Sequence, residues 1–167
     1  MAKDNLDRIL SALEAEKTIY EKLLSLSLEK KDLIIEGKVS ELNSIVQMEG
    51  NIILEISKIE DEREKTVLEL AKELKLSKEN LTVTYICDVL KDNRCIQIRE
   101  VAKSIAKILG QFKEVNDING KLIKQSLEYI NFSINLITDS IQPHNGIYEA
   151  NADEDKEKKV SLFDAKV

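Results

Sequence analysis

Residues able to do chemistry are few in this 167-residue chain, and none stands where chemistry needs it. The single histidine, His144, falls in Gln142-Pro143-His144-Asn145-Gly146, a sequence that makes a turn. No cysteine or second histidine lies at ligand spacing from it, so a zinc site has no donor set. His144 reads as a polar loop residue. Cys87 and Cys95 are the two cysteines, outside the usual metal-ligand spacing. They read as buried reduced thiols, which suits a reducing cytoplasm. No Gly-rich phosphate loop, G-x-S-x-G turn or H-E-x-x-H helix occurs. The 31 Asp and Glu residues are spread over helical positions, where they solvate the surface and pair at i,i+4. A di-iron bundle would need Glu-x-x-His on two helices, which a single histidine cannot supply. No catalytic residue, metal site or cofactor is expected, so the chain is read as a non-enzyme that works by binding.

The elements that must present a binding surface are helical. Charged residues make up 34% and aromatics 4%, with no Trp and one Pro, a balance that suits long helices rather than sandwiches or barrels. Leu6, Ile9, Leu10, Leu13, Tyr20, Leu23 and Leu24 recur at three- and four-residue spacing, which predicts a first helix over Asp4–Glu36. Gly37 ends it in a turn, and Ser40 is the expected N-cap of the next. The second helix is expected over Glu41–Leu74, with a near-heptad seam of Leu42, Ile45, Ile52, Ile56, Ile59, Val67, Leu70 and Leu74. Gly50 weakens it by about 1 kcal/mol relative to Ala but does not break it. Arg63 interrupts the seam and is expected to reach a carboxylate on the facing helix. After Ser77, a plausible cap, Val83, Ile86, Val89 and Leu90 suggest one short helix, and Lys91-Asp92-Asn93 a turn. The third long helix then runs over Arg94–Ile141, about 70 Å at 1.5 Å per residue. Such helices must lie side by side to bury their seams. The expected fold is all-α: an elongated antiparallel helical bundle or coiled coil of three long helices plus one short helix, residues 1–141. Residues 142–167 form a flexible acidic tail with too little apolar surface to order itself over Ile147–Lys159.

The last long helix is apolar on two sides. At about 100° per residue, Ile123, Leu127, Ile130, Ile134, Ile137 and Ile141 gather on one side, and Ile118, Leu122, Tyr129, Phe132 and Leu136 on another. One face suffices to pack a helix into its own bundle. The second needs either another helix of this chain, as simple core packing, or a partner. Asn116, Asn119, Ser126 and Ser133 are polar seam positions that would keep the bundle from closing too firmly on itself. The tail ends in Val160, Leu162, Phe163 and Val167, an apolar cluster that resembles a short docking motif or folds back on the bundle. The net charge of −6 argues against a general nucleic-acid binder, although Lys91–Leu127 holds eight Lys or Arg against four Asp or Glu. The opening MAKDNLDRIL has no apolar core and no stretch is long enough to span a bilayer, so neither secretion nor membrane insertion is expected.

Four stretches in this order resemble the FlgN family of flagellar export chaperones. They are IIEGKVSELNSIVQMEG (34–50), ISKIEDEREKTVLELAKEL (56–74), NGKLIKQSLEYINFSINLI (119–137) and the closing SLFDAKV (161–167). The resemblance implies a cytoplasmic chaperone of the flagellar type III export system, with no ATP hydrolysis of its own. It implies binding to the C-terminal segments of hook-associated (hook–filament junction) proteins, which otherwise self-associate early, and delivery to the membrane export gate. A client helix would lie on Ile118, Leu122, Tyr129, Phe132 and Leu136, with Leu162 and Phe163 of the tail as further partner-binding residues. Tyr129 is also the aromatic of the last helix that the resemblance offers to the gate. The expected state is a monomer or weak dimer. The alternative reading is a structural coiled-coil adaptor, constitutively homodimeric, with every apolar stripe used in self-contact.

Overall fold

The computed structural model describes residues 2–76 and 82–141, with side chains over 4–76 and 82–138. Every regular element among them is helical: α1 (Ala2–Glu36), α2 (Val39–Glu73), α3 (Val83–Leu90) and α4 (Arg94–Ile141). Three are long and one is short, as the hydrophobic spacing predicts. By its internal contacts the chain forms one compact unit over Met1–Ile130 and a second beginning at Asn131.

Glycine sets the first turn. Gly37 has φ +69°, its N–H donates to Ile34 O and the Lys38 N–H to Leu33 O, the paired bonds of a Schellman motif. The same motif closes α2, this time on a lysine: Lys75 (φ +53°) donates to Lys72 O and Leu76 to Ala71 O. Ser40 is not the cap of α2. The helix begins at Val39, Lys38 holds the capping position without a side-chain bond, and the Ser40 carbonyl accepts from Ser44 Oγ inside the first turn. The tight Schellman turn leaves no room for a longer loop and starts the helix early. Gly50 lies within an unbroken α2, and a Cβ there would meet nothing within 4 Å. Two alanine substitutions should therefore have opposite signs. Gly50→Ala is expected to stabilise by about 1 kcal/mol, whereas Gly37→Ala, forced to positive φ, should destabilise by about as much. Urea midpoints read both.

α1 and α2 run antiparallel, tied by Arg8–Glu69 (2.9 Å), Glu16–Arg63 (2.6 Å), Tyr20–Glu60 (2.9 Å) and Lys30–Glu49 (2.8 Å). Arg63 thus meets the carboxylate the broken seam called for. Burial, then the bond to Glu60, raises the Tyr20 phenol to about 12. A raised pKa stabilises the fold fully below the ordinary value near 10 and loses that contribution as pH climbs through about 12. Tyr20→Phe should cost about 1 kcal/mol at neutral pH, and its deficit should vanish in melts taken above that window.

α3 turns the chain between α2 and α4. Its cap is Thr82, whose hydroxyl accepts from Tyr85 N; the expected cap, Ser77, lies outside the described residues. Leu6, Ile9, Leu13, Val67, Leu70, Ile86, Ile98 and Ile105 form the main core, where all four helices meet. A smaller cluster of Ile19, Leu23 and Ile56 follows, with Phe112 of α4 packed against it.

Candidate functional site

The two thiols are placed as the sequence suggests. Cys87 and Cys95 are unbridged and buried in the main core. Burial, then the hydrogen bond with Cys95, pushes the Cys87 thiol up to about 12, the opposite of what a nucleophile or metal ligand requires. Among the described residues no group of three His, Cys, Asp or Glu could hold a metal ion. An open groove of about 680 Å³ between α1 and α2 is lined by residues such as Arg8, Ala12, Ala15, Arg63 and Glu69. Arg8 pairs there with Glu69 and Arg63 with Glu16 across the two helices, rather than being aimed at a reacting atom. His144 lies outside the described residues.

The surface with a surplus is α4. Its first half is a bundle helix: Cys95, Ile98, Ile105 and Ile108 are buried at three- and seven-residue spacing, followed by half-buried Phe112 and Val115. The seam then reaches Asn119, 1% exposed, whose Nδ2 donates to Ser27 O (2.9 Å) and Ser27 Oγ (3.3 Å). Its Oδ1 is buried without a partner. Asn119 therefore locks α4 against α1 instead of loosening the bundle. Both that contact and the Asp7–Arg94 pair (2.8 Å) show that α1 and α4 run parallel. Equal rise brings Glu36, the last residue of α1, level with Glu128. That is where α4's seam runs out.

From there the expectation that one stripe packs into the bundle fails. Ile123, Leu127 (55%), Ile130 (50%), Ile134 and Ile137 are all exposed, so the stripe that was to face the core faces out. The other stripe is exposed as well at Ile118, Tyr129, Phe132 (58%) and Leu136, while Leu122 is half-buried beside Asn119. Simple core packing of both sides is thus excluded among the described residues. The five predicted helix residues share one helix but are joined by Ile123, Leu127, Ile130 and Ile134, which the sequence places on its other stripe. Helical spacing could have named these four; only the register of α1 shows them uncovered. Leu162 and Phe163 lie outside the described residues.

A family model for FlgN protein matches residues 1–156. The chain belongs to the FlgN family. Over 158 residues this FlgN-family chain is 28% identical to the uncharacterized protein YvyG of Bacillus subtilis (strain 168), covering 95% of this chain and 96% of that protein. No solved structure matches it. The FlgN family is one of flagellar export chaperones, not of enzymes, and the helical bundle is in keeping with it. No helix among the described residues is long and apolar enough to cross a membrane.

Proposed function

We propose that this FlgN-family protein is a cytoplasmic chaperone that receives the C-terminal helical segment of a flagellar hook-associated protein along α4. Bound there, the segment cannot self-associate early, and the pair is handed to the membrane export gate of the type III apparatus. The observation that carries the reading is the exposed apolar run from Ile118 to Ile130 on α4, within the first unit. An amphipathic client helix laid against it would bury both apolar faces, the helix-in-groove mode of recognition. We assign Ile118, Leu122, Tyr129, Phe132 and Leu136 to this site, and add Ile123, Leu127, Ile130 and Ile134 because they are exposed on the same helix. Leu162 and Phe163 complete it as a tethered docking motif, and Tyr129 is the residue we assign to the gate contact. The protein needs no cofactor or catalytic group for this work.

Titration calorimetry of the full chain with the C-terminal segment of a hook-associated subunit tests the proposal. Saturable binding with a negative heat-capacity change is expected, the mark of buried apolar surface. Absence of heat and of competition with any hook-associated segment would sink it.

One observation favours a second reading. Val39, Val46 and Ile53 are exposed at seven-residue intervals along α2, the spacing of a coiled-coil seam. A structural adaptor would pair these in a constitutive homodimer, so a concentration-independent dimer in sedimentation equilibrium, unchanged by client, would favour it over the monomer or weak dimer proposed here.

A further inference from the structure

Two apolar rows stay exposed on different helices of the first unit, and helix geometry turns them toward each other. Val39, Val46 and Ile53 run along α2, and Ile123, Leu127 and Ile130 along α4, all between 40% and 67% exposed. We infer that these rows are the two walls of one cleft, which takes a single client helix, apolar on both flanks, as a fourth helix of the bundle. The inference rests on the chaperone reading for the identity of that helix and on the packing of α1, α2 and α4 for the cleft. It adds α2 to a site so far placed on α4 alone.

The direction of each row follows from the 100° step between neighbours on a helix. On α2, Asn51 lines an open groove shared only with α1, and Ile52 packs on the cluster of Ile19 and Leu23. Ile53 is carried one step further, to the opposite face of the α1–α2 pair, which α4 covers through Asn119 and Phe112. Val46 and Val39 follow it at seven-residue intervals. On α1, rising angle passes from Leu26 in the open groove, through Lys30 on Glu49 of α2, to Ser27 on Asn119 of α4. Since α4 is parallel to α1, the same sense on α4 leads from its α1 contact toward α2. Ile130, Ile123 and Leu127 lie about 20°, 40° and 80° beyond Asn119 in that sense. They face α2. Ile118 and Tyr129 turn the other way, to the side where the gate contact is assigned.

The rows are also level. With Lys30 beside Glu49 and Ser27 beside Asn119, equal rise sets Val46 opposite Gln125, between Ile123 and Leu127. Apolar rows that face each other at one level and stay this exposed stand too far apart to pack directly. Area selects what comes between them. Ile118 to Ile130 spans about 18 Å at 1.5 Å per residue. A helix laid on one wall alone covers a strip of that length and about 10 Å width, on the order of 200 Å² per partner, where a stable complex needs about 800 Å². A second copy of this chain, whose α2 is backed by its own α1, reaches only one wall. A lone helix about 10–12 Å across enters between the walls and buries a strip on each of them at once.

Val46→Asp with Ile53→Asp tests the α2 wall, since both side chains are exposed and neither lies on α4. Calorimetry of the full-length variant with the C-terminal segment of a hook-associated subunit is expected to show at least ~30-fold weaker binding, with an unchanged thermal melt. Val46→Ser with Ile53→Ser, which adds no charge, should lose about tenfold. Full affinity in both variants overturns the cleft; if Leu127→Asp with Ile130→Asp still loses the client, the chaperone reading stands on α4 alone. A parent dimer in sedimentation equilibrium that the aspartates dissociate gives the α2 row to a second copy and overturns the cleft as well. Should the parent bind no hook-associated segment, the chaperone reading falls, and a synthetic 18-residue amphipathic helix of Leu, Ala and Glu decides the cleft. Binding that the α2 aspartates abolish upholds it, whereas no binding, or binding that survives them, overturns it.

Discussion

Leu127→Asp combined with Ile130→Asp is expected to abolish client capture and leave the fold intact. Both side chains are exposed in the chain by itself, at 55% and 50%, so no core contact is lost. Surface changes of this kind stay within about 0.5 kcal/mol each, with a further few tenths from the poorer helix propensity of Asp. In the proposed complex both positions would be covered. Each loses the transfer free energy of a buried aliphatic side chain, about 1.5–3 kcal/mol, and adds a carboxylate that resists desolvation. A total of about 3 kcal/mol corresponds to at least a 100-fold weaker dissociation constant. Calorimetry beside a thermal melt separates the two quantities. Normal melting with lost binding is the expected pair of results; full binding by the double variant would remove this half of α4 from the site.

Arg63→Met should do the reverse. The Glu16 side chain is 4% exposed and is held by Arg63 Nε at 2.6 Å, across the α1–α2 interface. Removing the guanidinium strands a buried carboxylate, which costs about 3–5 kcal/mol in fully buried pairs. Arg63 is itself 26% exposed, so the lower end, about 3 kcal/mol, is expected. Glu16→Leu added to Arg63→Met should recover most of it, because replacing both partners by apolar groups of similar volume is close to neutral. Urea unfolding with an unchanged m-value reads the loss. A single variant as stable as the parent would mean that Glu16 finds water or protonates at little cost. Client affinity should not change in either variant, since the pair lies on α1 and α2, away from α4's exposed run.

Much of this architecture is legible in the spacing of apolar residues. The end of α1 at Glu36, the span Arg94–Ile141 and the carboxylate opposite Arg63 all follow from periodicity, a glycine and one misplaced cation. Periodicity also finds both stripes of α4. It cannot say which is covered, because it reports which residues share a side and not whether another helix lies beside them. That depends on the register of α1 on α4, which Ser27 and Asn119 set by a hydrogen bond between residues far apart in sequence. The caps were harder for a different reason. Ser40 and Ser77 are good capping residues by type, yet a Schellman turn starts α2 before Ser40 and Thr82 is the side chain that meets Tyr85 N.

The placement of the core has a mechanical consequence. Within the first unit the large buried cluster gathers where all four helices meet, around Leu6, Leu70, Ile86 and Ile98. Toward the α1–α2 hairpin the helices are held by thinner means: Lys30 on Glu49, Asn119 on Ser27, and a few aliphatic residues such as Leu33 and Ile45. Cooperative openings therefore cost least at the hairpin and most at the four-helix junction. If α4 receives a client as proposed, the end of the first unit nearest that run is the one that opens most readily, while the four-helix junction stays closed. Compliance is localised by where the methyl groups are, with no loop needed to provide it.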